Sequence, residues 1–131
     1  NLPHAVDLDE AGNVYVADRE NGRIQKFDAN GKFLAEWKNN EDAKVYAVQV
    51  SKRGHSIFAV DYLVKNDTVI IGSDISSFDT HLNRKSHFGR SGNYEGSVCR
   101  YHDIEVDTDE NIYVADLLNN RIQKFQLIRK K

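Results

Sequence analysis

A chain of 131 residues, 40% hydrophobic and 29% charged, has the make-up of a globular protein, with no low-complexity tract and no apolar run long enough for a membrane-spanning helix. A net charge of −2 excludes the global basic field that draws in nucleic acid or an anionic membrane. Cys99 is the only cysteine, so an internal disulfide is excluded too.

The first element is a motif that returns near the end of the chain. Residues 4–27 (HAVDLDEAGNVYVADRENGRIQKF) align without a gap to residues 102–125 (HDIEVDTDENIYVADLLNNRIQKF), and thirteen of the 24 positions are identical at an offset of 98. Such a repeat has to be read first, because one unit cannot bury its own apolar face and stacking decides the fold. Within the first copy, Val6 and Leu8 alternate with Asp7 and Asp9, Ala11-Gly12-Asn13 turns the chain, and Val14–Ala17 forms a second strand. Asn21-Gly22 is a hairpin signal, since both residues tolerate positive φ, and Arg23–Phe27 gives a third strand. After the turn at Asp28–Gly31, Lys32–Trp37 gives a fourth. Four short antiparallel strands joined by tight turns are the parts of one propeller blade.

Residues 38–44 form a polar connection to a divergent middle unit. There Tyr46–Val50 and Ile57–Val60 read as strands around a turn at Ser51–His55, and Thr68–Ile71 reads as a third strand. Asp61 falls where Asp18 and Asp116 fall. The spacings of 43 and 55 residues average to 49, half of 98, so the middle unit is one repeat. Residues 76–101 are the least regular, with Gly92-Asn93-Tyr94-Glu95-Gly96 in a long loop and part of the segment supplying the middle blade's fourth strand. The last unit shows three strands before Ile128-Arg129-Lys130-Lys131. The expectation is an all-β, partial β-propeller of about three four-stranded blades, with units at about 1–40, 41–98 and 99–131. Rings carry roughly 4–8 blades, so this length implies further chain or self-association, including a homodimer of two half-rings. The chain has no methionine and opens inside a repeat, which reads as the C-terminal part of a longer protein whose upstream blades complete the ring.

The pattern Tyr-Val-Ala-Asp followed by Asn-x-Arg-Ile-Gln-x-Phe resembles the NHL repeat. Leu2-Pro3-His4, Ala17–Gln25, and Phe88-Gly89-Arg90 with Tyr101–Ile104 resemble the C-terminal half of the peptidyl-α-hydroxyglycine α-amidating lyases. The resemblance implies a six-bladed propeller whose channel holds zinc on three histidines, with His4 and His102 as two ligands and the third upstream. It implies that Arg19 faces and binds the substrate as a catalytic residue, and that Asp103 contributes to a structural calcium site. It implies cleavage of a peptide with a C-terminal α-hydroxyglycine to a peptide amide and glyoxylate, and passage through the secretory pathway. The chain departs from this family at Arg100 and Tyr101, where methionine and proline are usual, both beside His102.

The residues themselves leave alternatives open. Two repeats in a six-bladed ring turn a side chain by about 120°, so three such histidines form the tripod tetrahedral zinc takes; equally, His4 and His102 can be polar contacts closing each blade. Asp18 and Asp116, repeated with Asn21/Asn119 and Arg23/Arg121, read as turn caps and inter-strand pairs. Arg19 and Asp103 break the repeat where Leu117 and Ala5 stand, which marks them as functional candidates. His55, His81 and His87 read as solvated loop residues, Cys99 as a partly buried thiol, and Arg84-Lys85 with Arg90 as a solvated loop or a local basic patch. The competing function is a non-catalytic NHL propeller that binds protein or RNA, for which a longer basic face with stacking aromatics is required.

Overall fold

The computed structural model describes residues 1–53, 55–92 and 96–128. Asn93-Tyr94-Glu95 of the long loop and the terminal Arg129-Lys130-Lys131 lie outside them. Twelve strands form three antiparallel sheets among the described residues. The first blade is β1 (Pro3–Leu8), β2 (Val14–Asp18), β3 (Arg23–Phe27) and β4 (Phe33–Lys38), paired in chain order. The middle blade is β5 (Lys44–Val50), β6 (Ile57–Lys65), β8 (Asp74–Phe78) and β9 (Arg84–Gly89), with β7 (Val69–Gly72) paired to the far half of β6. The third is β10 (Tyr101–Val106), β11 (Ile112–Asp116) and β12 (Arg121–Phe125).

The repeat governs registers as well as strands. Asp18 and Asp116 close β2 and β11 and pair with Arg23 and Arg121, while Asp61 holds the corresponding place in β6. In the middle blade, however, the third strand is Asp74–Phe78, whereas the apolar run at 68–71 pointed to Thr68–Ile71. That run instead folds back on the extended end of β6 through Asn66 and Asp67, whose φ values of 52° and 58° make a tight hairpin turn. The blade strand is less apolar than its rival, and only tertiary pairing selects it.

Two cores hold the blades together. Tyr15, Ala17 and Ile24 of the first blade pack on Val45, Val48, Ile57 and Phe78 of the middle one. On the middle blade's other face, Tyr46, Phe58, Val60 and Ile75 meet Tyr101, Ile104, Val106, Ile112 and Val114 of the third. Because the middle blade is covered on both faces, β5 and β6 are buried along nearly their whole length and send side chains into both cores. This arrangement brings the first strands of the three blades together, with β5 between β1 and β10.

Candidate functional site

Each innermost strand carries the same irregularity. In β1 the register runs from Pro3↔Asp18 to Ala5↔Ala17, skipping His4; in β10 it runs from Tyr101↔Asp116 to Asp103↔Ala115, skipping His102. In β5 it runs from Val45↔Asp61 to Ala47↔Val60, skipping Tyr46. A bulged residue leaves the pleat and its side chain is re-aimed. Three bulges at equivalent positions therefore send three side chains towards one place.

They meet there. The rings of His4 and His102 have centroids 5.1 Å apart and nearly perpendicular planes, and the Tyr46 ring lies 5.3 Å from the first and 5.4 Å from the second. His4 Nδ1 is 2.7 Å from the carbonyl oxygen of Tyr46. A carbonyl only accepts, so Nδ1 carries the hydrogen and the lone pair falls on Nε2. A ring oriented in this way by a backbone carbonyl is the usual setting of a metal-ligating imidazole. Burial, and then the charges of His4, Arg100 and Arg19, hold the His102 pKa below its ordinary 6.5 against an opposing pull from Asp103.

Two arginines flank Tyr46. Arg19 follows β2, and its Nε and Nη2 donate to Glu20 Oε1 at 3.0 and 2.8 Å, while Glu20 Oε2 receives Lys44 Nζ at 2.9 Å. This chain of charges sets the Arg19 guanidinium 5.4 Å from the Tyr46 ring centroid. Arg100 approaches from the third blade, 6.0 Å from Tyr46 and 4.8 Å from Tyr62. The structure thus gathers His4, His102 and Arg19 around Tyr46. Asp103 is exposed on β10 and accepts a hydrogen bond from the Ile104 amide at 2.9 Å. Among the described residues no three His, Cys, Asp or Glu side chains group as a metal site.

The remaining sequence candidates stand elsewhere. His55, His81 and His87 are exposed; His87 lies within β9 and not in a loop, with Nδ1 2.6 Å from Ser91 Oγ. Cys99 is buried in the core between the middle and third blades. The basic cluster is dispersed: Arg84 stacks over Trp37, Lys85 faces Asp79, and Arg90 is buried. Tyr46 and Tyr62 escaped sequence reasoning. The available signal for Tyr46 was its place in the middle repeat, where it stands as His4 and His102 stand in theirs.

Comparison with known proteins agrees with the repeat and the fold. The NHL repeat family model matches residues 1–27. Human NHL repeat-containing protein 3 is 58% identical over 40 residues, covering 30% of this chain and 12% of that protein. Peptidylglycine alpha-amidating monooxygenase of Rattus norvegicus is 27% identical over 99% of this chain and 13% of its own length. Peptidyl-alpha-hydroxyglycine alpha-amidating lyase 1 of Drosophila melanogaster is 29% identical over 95% of this chain and 24% of its own length. The chain thus spans less than a quarter of the length of these curated relatives. The crystal structure of virginiamycin B lyase from Staphylococcus aureus superposes with a TM-score of 0.65 at 15% identity, covering 98% of this chain and 42% of that one, and so shares the fold. With an NHL repeat at residues 1–27, stacked blades and convergent bulges, the chain is a β-propeller segment similar over nearly its whole length to the peptidylglycine-amidating enzymes.

Proposed function

We propose that this chain is part of a zinc-dependent lyase that cleaves a peptide ending in α-hydroxyglycine to a peptide amide and glyoxylate. The observation that carries the reading is the pair His4 and His102, two blades apart on the same bulge, with ring centroids 5.1 Å apart and the first tautomer set by a backbone carbonyl. The two imidazoles fit one shared ion, and a further ligand comes from outside this chain, since zinc with an open catalytic position takes three protein ligands. When bound, zinc polarises the substrate's hydroxyl oxygen and lowers its pKa.

The chain's own residues do the rest. Arg19, held in place by Glu20, faces the substrate and offsets negative charge beside the histidines. Tyr46, 7% exposed, walls the site and restricts water. In the reaction the hydroxyl loses its proton, its oxygen becomes the aldehyde carbonyl of glyoxylate, and the C–N electron pair leaves with the nitrogen, which takes up a proton as the amide. Asp103 offers one exposed carboxylate to a structural calcium ion. The relatives' names support the substrate class, and the remaining blades of the ring are this segment's first partner.

Zinc content and glyoxylate release of the full-length protein, measured beside His102→Ala, test the proposal. Stoichiometric zinc in the parent is expected, with metal lost and turnover down by at least about a hundredfold in the variant. A folded parent with neither zinc nor glyoxylate release sinks the reading and leaves a propeller used as a binding surface.

A further inference from the structure

Arg100 differs from the other arginines near the site. Its backbone is fixed on both sides: the amide donates to Asp116 Oδ1 at 3.0 Å and the carbonyl accepts from Leu117 at 2.9 Å. Its guanidinium is laid across the Tyr62 and Tyr46 rings, and its Nε is buried with no hydrogen-bond partner among the described residues. Arg19, Arg23 and Arg121 each pair with a carboxylate, and Lys44, which holds the matching place before the bulge in the middle blade, pairs with Glu20. Arg100 makes no ion pair among the described residues, so its guanidinium fork is left for something else to fill.

That something has room. A cavity of about 430 Å³ is lined by Arg100, Tyr46, Tyr62 and Lys44, together with Asp42 and Asp67. The acidic pair on its wall disfavours a polyanion and leaves a singly charged carboxylate as the group that suits a guanidinium fork. Tyr46 belongs both to this cavity and to the histidine site, so a ligand anchored here lies beside His4 and His102. We infer that Arg100, backed by the faces of Tyr46 and Tyr62, is the carboxylate-anchoring residue of the site, taking the C-terminal carboxylate of a peptide-like ligand. The pocket follows from geometry alone, whereas the identification of its ligand as a peptide terminus rests on the lyase reading.

The test is calorimetric titration of the full-length protein with N-acetylglycine and, separately, N-acetylglycinamide, which lacks the carboxylate. Wild type should prefer the acid, Arg100→Met should bind it about tenfold or more weakly, and Arg100→Lys should fall between, having the charge without the fork. Arg84→Gln, which removes a similarly stacked guanidinium over Trp37, should bind as wild type does. Equal binding of acid and amide by wild type, or acid binding undiminished in Arg100→Met, overturns the inference. If Arg100→Met does not fold, acid binding undiminished in Arg100→Lys overturns it instead. Failure of the lyase reading looks different: no glyoxylate is released, while the acid is still preferred through Arg100.

Discussion

At the scale of single residues, the middle blade solves the same problem as its neighbours with a different charge arrangement. In the first blade, Asp18 is capped by Asn21 Nδ2 at 2.9 Å and Arg23 Nε at 2.6 Å; in the third, Asp116 is capped by Asn119 at 2.7 Å and Arg121 at 3.2 Å. Beside Asp61, however, stands Asp74, a second buried carboxylate whose backbone amide donates to Asp61 Oδ1 at 2.8 Å, where the other blades pair the aspartate with an arginine. The missing cation comes from the end of the fourth strand. Arg90 pairs with Asp61 through two nitrogens, reaches Glu41 at 3.1 Å and lies 3.8 Å from Asp74. Burial opposes its charge, but the carboxylates outweigh burial and raise its pKa. Arg90→Met should therefore strand two buried carboxylates and cost about 3–5 kcal/mol in urea unfolding. Arg23→Met, at a pair whose arginine is 31% exposed, should cost only about 1 kcal/mol. Comparable losses from the two substitutions would contradict this account.

At the scale of elements, tight turns recur with one chemistry. Asp9 and Asn13, Asp79 and Asn83, and Asp107 and Asn111 each close a strand connection, with the Asn amide donating to Oδ1 at 2.9 Å and its Nδ2 to Oδ2 at 2.9, 3.1 and 3.0 Å respectively. Backbone and side-chain hydrogen bonds from Asn83 hold Asp79 at about 2, below the ordinary 3.8. Burial works to raise Asp9 and Asp107, yet the Asn13 and Asn111 hydrogen bonds prevail and leave both lowered. A carboxylate with a depressed folded pKa stabilises the fold above its unfolded value, and the contribution is lost as pH falls through the folded one. The urea midpoint should accordingly be flat with respect to these groups above about pH 5 and fall as pH drops from 3.8 towards about 2. Asp79→Asn should make that fall shallower, and an unchanged slope would remove the turn from the explanation. The bulges are the other recurring device: one extra residue per inner strand re-aims His4, Tyr46 and His102 without disturbing the ladder on either side.

At the scale of the whole molecule, repeat-equivalent residues meet opposite fates. Ile24 is fully buried against the middle blade, while its repeat equivalent Ile122 is 70% exposed; conversely Val106 is fully buried and Leu8, its equivalent, is 58% exposed. Each outer blade thus presents the face that the other one buries, which makes the two open faces complementary in a head-to-tail sense. Each such aliphatic side chain gains about 1.5–3 kcal/mol when covered. The 131-residue chain alone should bind an apolar dye and sediment above its 15.0 kDa, and Val6→Lys with Ile122→Lys should return it to a monomer. A wild-type monomer that binds no dye would show that these faces need no cover. By itself the sequence determined the all-β class, the repeat and its 98-residue offset, the Asp-Asn-Arg caps and the pairing of His4 with His102, because these depend on local turn chemistry and on period-two patterning. Only the tertiary structure decided that Asp74–Phe78 and not Thr68–Ile71 is the blade strand, that Arg90 neutralises Asp61, and that Tyr46, Tyr62 and Arg100 line the site. Those outcomes turn on which distant segments share a face: a cation supplied from the end of the fourth strand leaves no periodic mark, and a tyrosine at the repeat position of His4 and His102 does not show its role by residue type.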